Sequence, residues 1–276
     1  MAGRDRRRRR GRSKPRTEAD APQMPHAAGS PATDTPDPES PNAENPQGGK
    51  PKPRHLRRAL RWVGLTLLGL SVLSLAGIAL LRVVPPPINY YQFSESRRLG
   101  GIQKTWVPLA GLPAHVPLSA AAAEDANFCV HWGIDVAALR AAWADGARRG
   151  GSTISQQTAK NVFLWPARSW LRKGLEAGFT GAIELTWGKR RIMEVYLNVA
   201  EFDTGVFGIE AAARHHFGVG AADLSRDQTA RLMAVLPDPK GRSAINPGPR
   251  LRARARQIAS GAQTLASDGR GACLMP

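Results

Sequence analysis

Three short segments of the chain carry residue types that could perform acid–base and phosphate chemistry. The first, Ala123–Gly133, reads AEDANFCVHWG. On a helix, Glu124, Phe128 and His131 would fall at i, i+4 and i+7, on one face. A carboxylate beside aromatic rings is partly desolvated, which raises its pKa and suits it to act as a general base or acid. A surface glutamate with Phe128 in the core would give the same pattern, so this segment alone leaves both interpretations open.

The second segment is rich in glycine and hydroxyl groups. It covers residues 150–161 and reads GGSTISQQTAKN. Glycines followed by Ser152 and Thr153 at a helix start would present free N–H and hydroxyl groups to a phosphate or sugar oxygen. Gln156 and Lys160 follow, one turn apart. An ordinary capped helix is the alternative interpretation of this segment.

The third segment is a basic cluster around one carboxylate. Arg168, Arg172 and Lys173 precede Glu176 within nine residues. Arg172 and Glu176 lie one turn apart, as in an ordinary surface ion pair. Three cations are more than one carboxylate neutralises, which favours a site for a leaving diphosphate. An acid–base residue, a hydroxyl-rich loop and a cation cluster are much less expected together by chance than any one of them alone.

Helical periodicity predominates in the part of the chain that must position these segments. Thr153 followed by Gln156 is a capping-box pattern, and Ser169 is placed to cap another helix. No sustained strand alternation is present, so the sequence predicts a compact, all-α domain. Helices are predicted at about residues 117–131, 135–147, 153–161, 169–185, 189–198, 210–217 and 225–236.

Three glycines interrupt the helix predicted over residues 169–185. Gly174, Gly178 and Gly181 each cost about 1 kcal/mol relative to alanine inside a helix. Their spacing would be explained by the close approach of another element, which is what we expect at this face.

A long apolar run precedes the domain. Trp62–Leu81 contains no charged residue, and 20 residues at 1.5 Å each span the ~30 Å core of a bilayer. A buried core helix or a cleaved signal peptide is disfavoured, because the run is long and begins far from the N-terminus. We therefore predict a transmembrane helix and its exit over residues 62–84.

The charges that flank this run predict its orientation. Four arginines stand just before it, whereas Arg82 and the rigid segment Pro85–Pro87 follow it. The positive-inside rule places residues 1–61 in the cytoplasm and residues 85–276 outside, as an extracytoplasmic domain. That location disfavours ATP or nucleotide-sugar chemistry and favours a substrate that carries its own activation, such as a lipid diphosphate.

The N-terminal tail is basic and poor in large apolar residues. Residues 1–53 are predicted to be disordered, because they cannot bury enough surface to offset their ordering entropy. Residues 1–61 hold 15 Lys and Arg against 7 Asp and Glu, so +8 of the net charge of +17 lies there and +9 remains for the rest. The Arg6–Arg10 run alone would fit nucleic acid, but in an anchored protein it favours anionic lipid. We predict no nucleic-acid partner.

The chain has two cysteines, Cys129 and Cys273. Their spacing matches no metal site or CxxC motif, and no metal site is predicted. A disulfide is open to them if the domain is extracytoplasmic, although the sequence alone favours two unpaired thiols.

Five motifs together resemble one enzyme family. They stand in the family's order and near its spacing, within residues 105–247: EDANFCVHWG, GGSTISQQTAKN, RKGLE, KRRIMEVYLN and GVFGIEAAARHHFG. The chain is similar to the monofunctional biosynthetic peptidoglycan transglycosylases of glycosyltransferase family 51. It departs from the family pattern at Ser155, where threonine is usual, at Gly188, where proline is common, and at His216 and Val219, where tyrosine and lysine are usual. None of these departures removes a proposed catalytic group.

The resemblance implies a lysozyme-like fold of two lobes separated by a cleft, and an inverting polymerisation of lipid II. Glu124 would be the general base for the 4-hydroxyl of the incoming GlcNAc, and undecaprenyl diphosphate would leave. Glu176 would assist departure of the diphosphate. No cofactor is needed for activation, while a divalent cation, Mg or Mn, at the diphosphate stays open. Further residues would bind substrate or line the cleft: Asp125, Phe128, His131, Arg140, Ser152, Thr153, Gln157, Lys160, Asn161, Arg168, Arg172 and Lys173.

The implied setting is the bacterial cytoplasmic (inner) membrane, with a periplasmic catalytic domain. Lipid II, the growing glycan strand and the membrane would be partners, and cell-division or penicillin-binding proteins are further candidates. Two alternatives remain. A peptidoglycan-cleaving enzyme, lysozyme-like or a lytic transglycosylase, would not require the cations at residues 160–173, and a non-enzymatic membrane-anchored scaffold would rest on the basic tail alone. The length of the chain and the absence of Ser-x-x-Lys, Ser-Asp-Asn and Lys-Thr-Gly motifs exclude a bifunctional penicillin-binding protein.

Overall fold

The computed structural model describes residues 54–144, 151–167 and 169–275. These residues form a mostly helical domain behind a long N-terminal helix. The tail predicted to be disordered over residues 1–53, the end of the helix predicted over 135–147, and Arg168 lie outside the described residues.

The described residues contain ten α-helices and three short strands. The strands form one sheet in the order β1-β3-β2, with β1 parallel and β2 antiparallel to β3. The all-α expectation is therefore corrected to a mostly helical domain with a small sheet, since strands this short leave no alternation to detect. The bounds are α1 Arg54–Leu81, α2 Tyr90–Leu99, β1 Gln103–Lys104, α3 His115–Glu124, α4 Val136–Ala144, α5 Ile154–Phe163, α6 Trp170–Thr186, α7 Gly188–Val199, β2 Glu201–Asp203, β3 Val206–Phe207, α8 Ile209–Phe217, α9 Arg226–Val235 and α10 Pro249–Ser267.

Helix α1 contains the predicted apolar span. Within the described residues it begins at Arg54, before the predicted start at Trp62. Arginine, leucine and alanine are all good helix formers, although the charge of arginine disfavours the bilayer. By length and composition, residues 55–81 could cross a membrane. The end of α1 is fixed to α7, since the Ile78 carbonyl accepts a hydrogen bond from Trp187 at 2.7 Å and the Leu81 carbonyl accepts one from Arg191 at 2.9 Å. These side chains satisfy carbonyls that have no partner within the helix.

The helices predicted from residue 153 to residue 236 are confirmed as α5 to α9, with ends that shift by one or two residues. Three of them begin at the predicted caps. The side chains of Thr153, Ser169 and Ser225 each accept a hydrogen bond from the backbone N–H three residues later. Such caps stabilise a helix by about 1 kcal/mol each, and they explain why these starts could be read from the sequence.

The helix predicted over residues 117–131 is wrong beyond Glu124. Helix α3 ends there, and Asp125 leaves the helical conformation at φ −161° and ψ 75°. Its carboxylate instead accepts a hydrogen bond from the backbone N–H of Ile154, the first residue of α5. Glu124, Phe128 and His131 therefore do not share a helix face, because a contact distant in sequence competes with the alanine-rich helix.

Helices α2 and α10 were not predicted. In α2 the Asn89 cap lacks a strong apolar periodicity behind it. In α10 two of the four residues in the buried stripe are alanine, which leaves only two large apolar side chains to mark the helical period. Its members have helical spacing: Ala255, Ile258, Ala262 and Leu265.

The expected close approach at the α6 glycines is also wrong. A Cβ atom built at Gly174, Gly178 or Gly181 would meet no heavy atom of the described residues within 4 Å. Helix α6 packs through its other side, where Phe179 stacks on Phe163 of α5 with ring centroids 4.7 Å apart. The three glycines therefore leave part of the exposed surface of α6 without side chains.

Helix α7 lies at the centre of the core. It contacts α3, α5, α6 and α8, and burial of each large aliphatic side chain contributes roughly 1.5–3 kcal/mol. Seven of its residues are buried: Ile192, Met193, Val195, Tyr196, Leu197, Asn198 and Val199.

Cys129 and Cys273 form a disulfide, with Cα atoms 5.6 Å apart. The expectation of unpaired thiols is therefore wrong. The bond joins the segment after α3 to the end of the described chain, and both cysteines pack against the hydrophobic core. Sequence spacing could not reveal this pair, because only the fold brings the two segments together.

Candidate active site

Glu124 lies at the C-terminal end of α3, on the wall of a large cavity. Its Oε2 accepts a hydrogen bond of 2.9 Å from Nε2 of Gln157 on α5. We call this space the Glu124 cavity. It has a volume of about 710 Å³ and is lined by Ala123, Glu124, Ser152, Gln157, Lys160, Pro237 and Arg254. A carboxylate held by one amide and open to a cavity can still accept a proton from a bound hydroxyl group.

Lys160 connects the Glu124 cavity to two others. The Arg172 cavity, of about 400 Å³, is lined by Lys160 and Arg172 together with Tyr91, Asn161 and residues 164–167. The Tyr91 cavity, of about 140 Å³, also contains Lys160, with Gln157 and Asn161. Lys160 is therefore a wall residue of all three spaces.

The environment of Lys160 suits an anionic ligand. Burial lowers the pKa of Lys160, the carboxylates of Glu176 and Glu124 act in the opposite direction, and Arg172 and Lys173 lower it further. Within the described ranges its ammonium forms no ion pair or hydrogen bond. A partly desolvated cation without a direct partner gains more from a phosphate oxygen than a solvated lysine would.

Glu176 is buried in the first turns of α6 and is neutralised there. Its Oε2 accepts a hydrogen bond of 2.9 Å from Arg172, and its Oε1 pairs with Lys173. The Glu176 side chain is 3 % exposed, against 13 % for Arg172 and 45 % for Lys173. Glu176 therefore holds the two cations in place, which requires the i, i+3 and i+4 spacing of a helix.

Arg172 retains a donor that nothing in the described residues accepts. Its Nε is buried without a hydrogen-bond partner, while another nitrogen of the same guanidinium binds Glu176. A buried unsatisfied donor is costly. Arg172 also lines a cavity, so its guanidinium group adds positive charge to the wall of that space.

The loop between α3 and α4 supports this site through hydrogen bonds to the start of α5. The Asp125 carboxylate accepts hydrogen bonds from the first N–H of α5 and from His131. The Thr153 hydroxyl donates to the Gly133 carbonyl at 2.5 Å. Gly133 has φ +79°, and a Cβ there would lie 2.7 Å from a Thr180 methyl group, so the loop can lie against α6 only with glycine at this position.

Lys189 of α7 fixes the same loop from the other side. Its Nζ donates to the His131 carbonyl at 2.6 Å and lies 4.6 Å from the centre of the Phe128 ring. It also pairs with Glu184 at 2.7 Å, and Ser155 donates to that carboxylate. No role was predicted for Lys189 or Glu184, although Lys189 opens the motif KRRIMEVYLN.

Known proteins match most of this chain in sequence. Residues 73–263 match the family model described as Transglycosylase. A biosynthetic peptidoglycan transglycosylase of Jannaschia sp. (strain CCS1) is 53% identical over 223 residues, which cover 80% of this chain and 93% of that protein. Proteins of the same name from Rhodospirillum centenum and Caulobacter vibrioides are 48% and 44% identical over 79% and 80% of this chain, and over 96% and 99% of their own lengths.

The chain belongs to the transglycosylase family. The matched residues include α3 to α9, and with them every part of the site described above. The resemblance that the five motifs indicated is therefore confirmed.

The structure distributes the predicted site residues of this transglycosylase over three settings. Those at the cavities are Glu124, Ser152, Gln157, Lys160, Asn161 and Arg172. Those in the supporting framework are Asp125, Phe128, His131, Thr153, Lys173 and Glu176. Arg140 is exposed on α4 and lines none of the three cavities.

Two further polar residues at the cavities were not predicted from the sequence. Arg254, from α10, donates a hydrogen bond of 2.8 Å to the Ala123 carbonyl and lines the Glu124 cavity. Tyr91, from α2, donates a hydrogen bond of 2.7 Å to Glu201. Burial, followed by Glu201, raises the pKa of Tyr91. Both residues lie on the two helices that were not predicted, so no motif pointed to them.

Proposed function

We propose that this chain is a peptidoglycan glycosyltransferase of cell-wall synthesis that polymerises lipid II and releases undecaprenyl diphosphate. Membership of the transglycosylase family and relatives named biosynthetic peptidoglycan transglycosylases support the activity. The observation that carries the detailed assignment is the position of Lys160. It lines the cavity of a carboxylate suited to proton transfer and also the cavity lined by a second cation, Arg172.

Glu124 acts as the general base in this proposal. It takes the proton from the 4-hydroxyl of GlcNAc on the incoming lipid II, whose oxygen attacks the anomeric carbon of MurNAc on the growing strand. The bond between that carbon and the diphosphate oxygen breaks, and its electron pair leaves with the diphosphate, so the configuration inverts. Gln157 orients the carboxylate through its hydrogen bond. A positioned base contributes typically about 10²–10⁴-fold.

Lys160 and Arg172 stabilise the leaving diphosphate from the cavity walls, and Lys173, which lines none of the three cavities, adds positive charge beside Arg172. Negative charge grows on its oxygens as the bond breaks, and cations fixed beforehand at that place lower the barrier. Glu176 assists by holding Arg172 and Lys173 in position. The donor is already activated as a diphosphate ester, so no cofactor has to supply energy.

The described residues do not offer a fitting site for a resident divalent cation at the diphosphate. Mg²⁺ prefers carboxylate and water oxygens. Both oxygens of Glu176 are already paired with protein cations, and the residues that line the Arg172 cavity include no carboxylate. In this proposal, side-chain cations alone neutralise the diphosphate.

We further propose that α1 anchors the enzyme in the cytoplasmic membrane, with the catalytic domain in the periplasm. Arginines before Trp62 support this orientation. The Cys129–Cys273 disulfide supports an oxidising compartment for the domain. Helix α6 contacts α1 and exposes Trp170 at 93 % and Leu171 at 71 %, which is typical of a surface that meets an apolar phase.

Incubation of the purified full-length protein with lipid II tests the proposed function. We expect polymeric glycan and free undecaprenyl diphosphate, separated from the unreacted substrate by electrophoresis and chromatography. In a parallel arm, the enzyme is given purified cell-wall sacculi and no lipid II. Release of soluble fragments there, together with no polymer from lipid II, would identify a cleaving enzyme and overturn the proposal.

A further inference from the structure

Helix α8 ends in two adjacent histidines, and the second has a buried nitrogen without a partner. The His216 side chain is 4 % exposed, and its Nε2 forms no hydrogen bond with any described residue. A buried polar atom without a partner is costly, so the Nε2 of His216 would gain from a bound ligand.

The unpartnered Nε2 of His216 lies close to a second histidine and an aspartate. Oδ2 of Asp203 lies 3.4 Å from Nε2 of His215 and 3.8 Å from Nε2 of His216. One ligand atom from each residue lies within 4.8 Å of the others. In a tetrahedral zinc site with bonds of about 2.0–2.2 Å, ligand atoms are separated by roughly 3.3–3.6 Å. The separation between Asp203 and His215 matches this spacing, the separation between Asp203 and His216 exceeds it by about 0.2 Å, and a change of side-chain rotamer would bring all three atoms to one ion.

A simple ion pair does not account for this group. At 3.8 Å the Nε2 of His216 is too far from Asp203 for a hydrogen bond. A buried imidazole nitrogen without a partner, beside a carboxylate and a second imidazole, is a typical donor to a metal ion.

The framework holds these ligands in place. Asp203 ends β2, and its Oδ1 accepts a hydrogen bond of 2.7 Å from the Thr204 N–H. The two histidine rings meet edge to face, with centroids 4.8 Å apart. Backbone hydrogen bonds to ligand side chains are the usual means by which a protein orients metal ligands.

We propose that Asp203, His215 and His216 bind one Zn²⁺ ion, with water as its fourth ligand. Two imidazoles and one carboxylate suit zinc, whereas Mg²⁺ and Ca²⁺ prefer oxygen ligands alone. The ion joins the end of β2 to the end of α8. None of the three ligands lines the Glu124, Arg172 or Tyr91 cavity, so the site is separate from the catalytic groups.

The position of the site gives the ion a structural role. Strand β2 begins at Glu201, which lines the Tyr91 cavity and accepts the hydrogen bond of Tyr91. Fixing the other end of this short strand restrains one wall of that cavity. Zinc is therefore expected to stabilise the domain while taking no part in the chemistry at Glu124.

The test uses tag-free full-length protein in detergent, stripped with EDTA and dialysed. Titration calorimetry with ZnCl₂ should show one equivalent bound, and saturating zinc should raise the Tm by about 5 °C or more. His216→Gln and Asp203→Asn should each weaken binding by more than about tenfold and abolish the shift in Tm. His55→Gln, which removes an exposed imidazole on α1, is the matched control and should bind zinc like the parent.

A second variant, at a more exposed ligand, controls for misfolding of the His216→Gln protein. His215→Gln changes a side chain that is 37 % exposed and should fold like the parent without zinc, as judged by circular dichroism, yet lose the zinc-dependent rise in Tm. No zinc bound by the parent protein would overturn the proposal. Equal affinity in the parent and in all three ligand variants would overturn it too, because the ion would then bind elsewhere.

Discussion

Lys160 lines all three cavities. Its removal should lower the rate of polymerisation without lowering the Tm. For Lys160→Ala we expect polymerisation of lipid II to fall about ten- to a hundred-fold, the value of one charge-assisted contact. The Tm should stay level or rise, because burial already lowers the pKa of this lysine and no described carboxylate pairs with it directly. Arg256→Gln, an exposed change on α10, serves as the control. A loss of Tm that accounts for the loss of rate would make Lys160 a structural residue.

Arg172 and Lys173 share one carboxylate but differ in exposure, so their variants should differ. Arg172→Ala leaves the buried Glu176 poorly compensated and should lower both the Tm and the rate of polymerisation. Lys173 is 45 % exposed, so Lys173→Ala should lower the rate with little change in Tm. Thermal melts and initial rates of both variants, measured side by side, check this order. Full activity in Lys173→Ala would remove it from the diphosphate site.

At the residue scale, the site residues that could be predicted from the sequence are those that lie within motifs. Glu124, Gln157 and Lys160 were all predicted, and the structure brings them to one cavity. The predicted common helix face of Glu124, Phe128 and His131 was wrong, since α3 ends at Glu124 and Asp125 binds the first N–H of α5. Arg254 could not be found, because only tertiary packing brings α10 against α3.

At the scale of elements, the Cys129–Cys273 disulfide is the strongest local constraint on the loop beneath the site. The double variant Cys129→Ser/Cys273→Ser should lose about 2–4 kcal/mol of unfolding free energy, since a long loop is no longer closed in the unfolded chain. Urea denaturation of the parent and the variant measures the difference. The parent protein should also show no free thiol under denaturing, non-reducing conditions. Two titratable thiols in freshly isolated protein would contradict the pairing.

The helices that the sequence predicted well are those with local signals at both ends. The cap side chains of Thr153, Ser169 and Ser225 accept hydrogen bonds from the neighbouring backbone and need no tertiary partner. The small sheet is different, because β1 pairs with β3 across a long stretch of chain. Strands of two or three residues gain their stability from that pairing alone, and no local pattern records it.

At the scale of the whole molecule, the orientation of α1 is the untested link between structure and proposed location. A single cysteine at Ser267, introduced into the Cys129→Ser/Cys273→Ser background, lies exposed at the end of α10. A membrane-impermeant thiol reagent should label it in intact spheroplasts. A cysteine at Ser13, in the tail, should be labelled only after lysis. The reverse pattern would place the domain in the cytoplasm and contradict the periplasmic assignment.

The central claim is that Glu124 is the base of glycan polymerisation, and Glu124→Gln tests it most directly. The substitution keeps the size of the side chain and an oxygen that can accept from Gln157, so the Tm should match that of the parent. The initial rate of lipid II polymerisation should fall by about 10²–10⁴-fold, while Asp227→Asn, an exposed change on α9, should leave it unchanged. A Glu124→Gln rate within about tenfold of the parent would contradict the account.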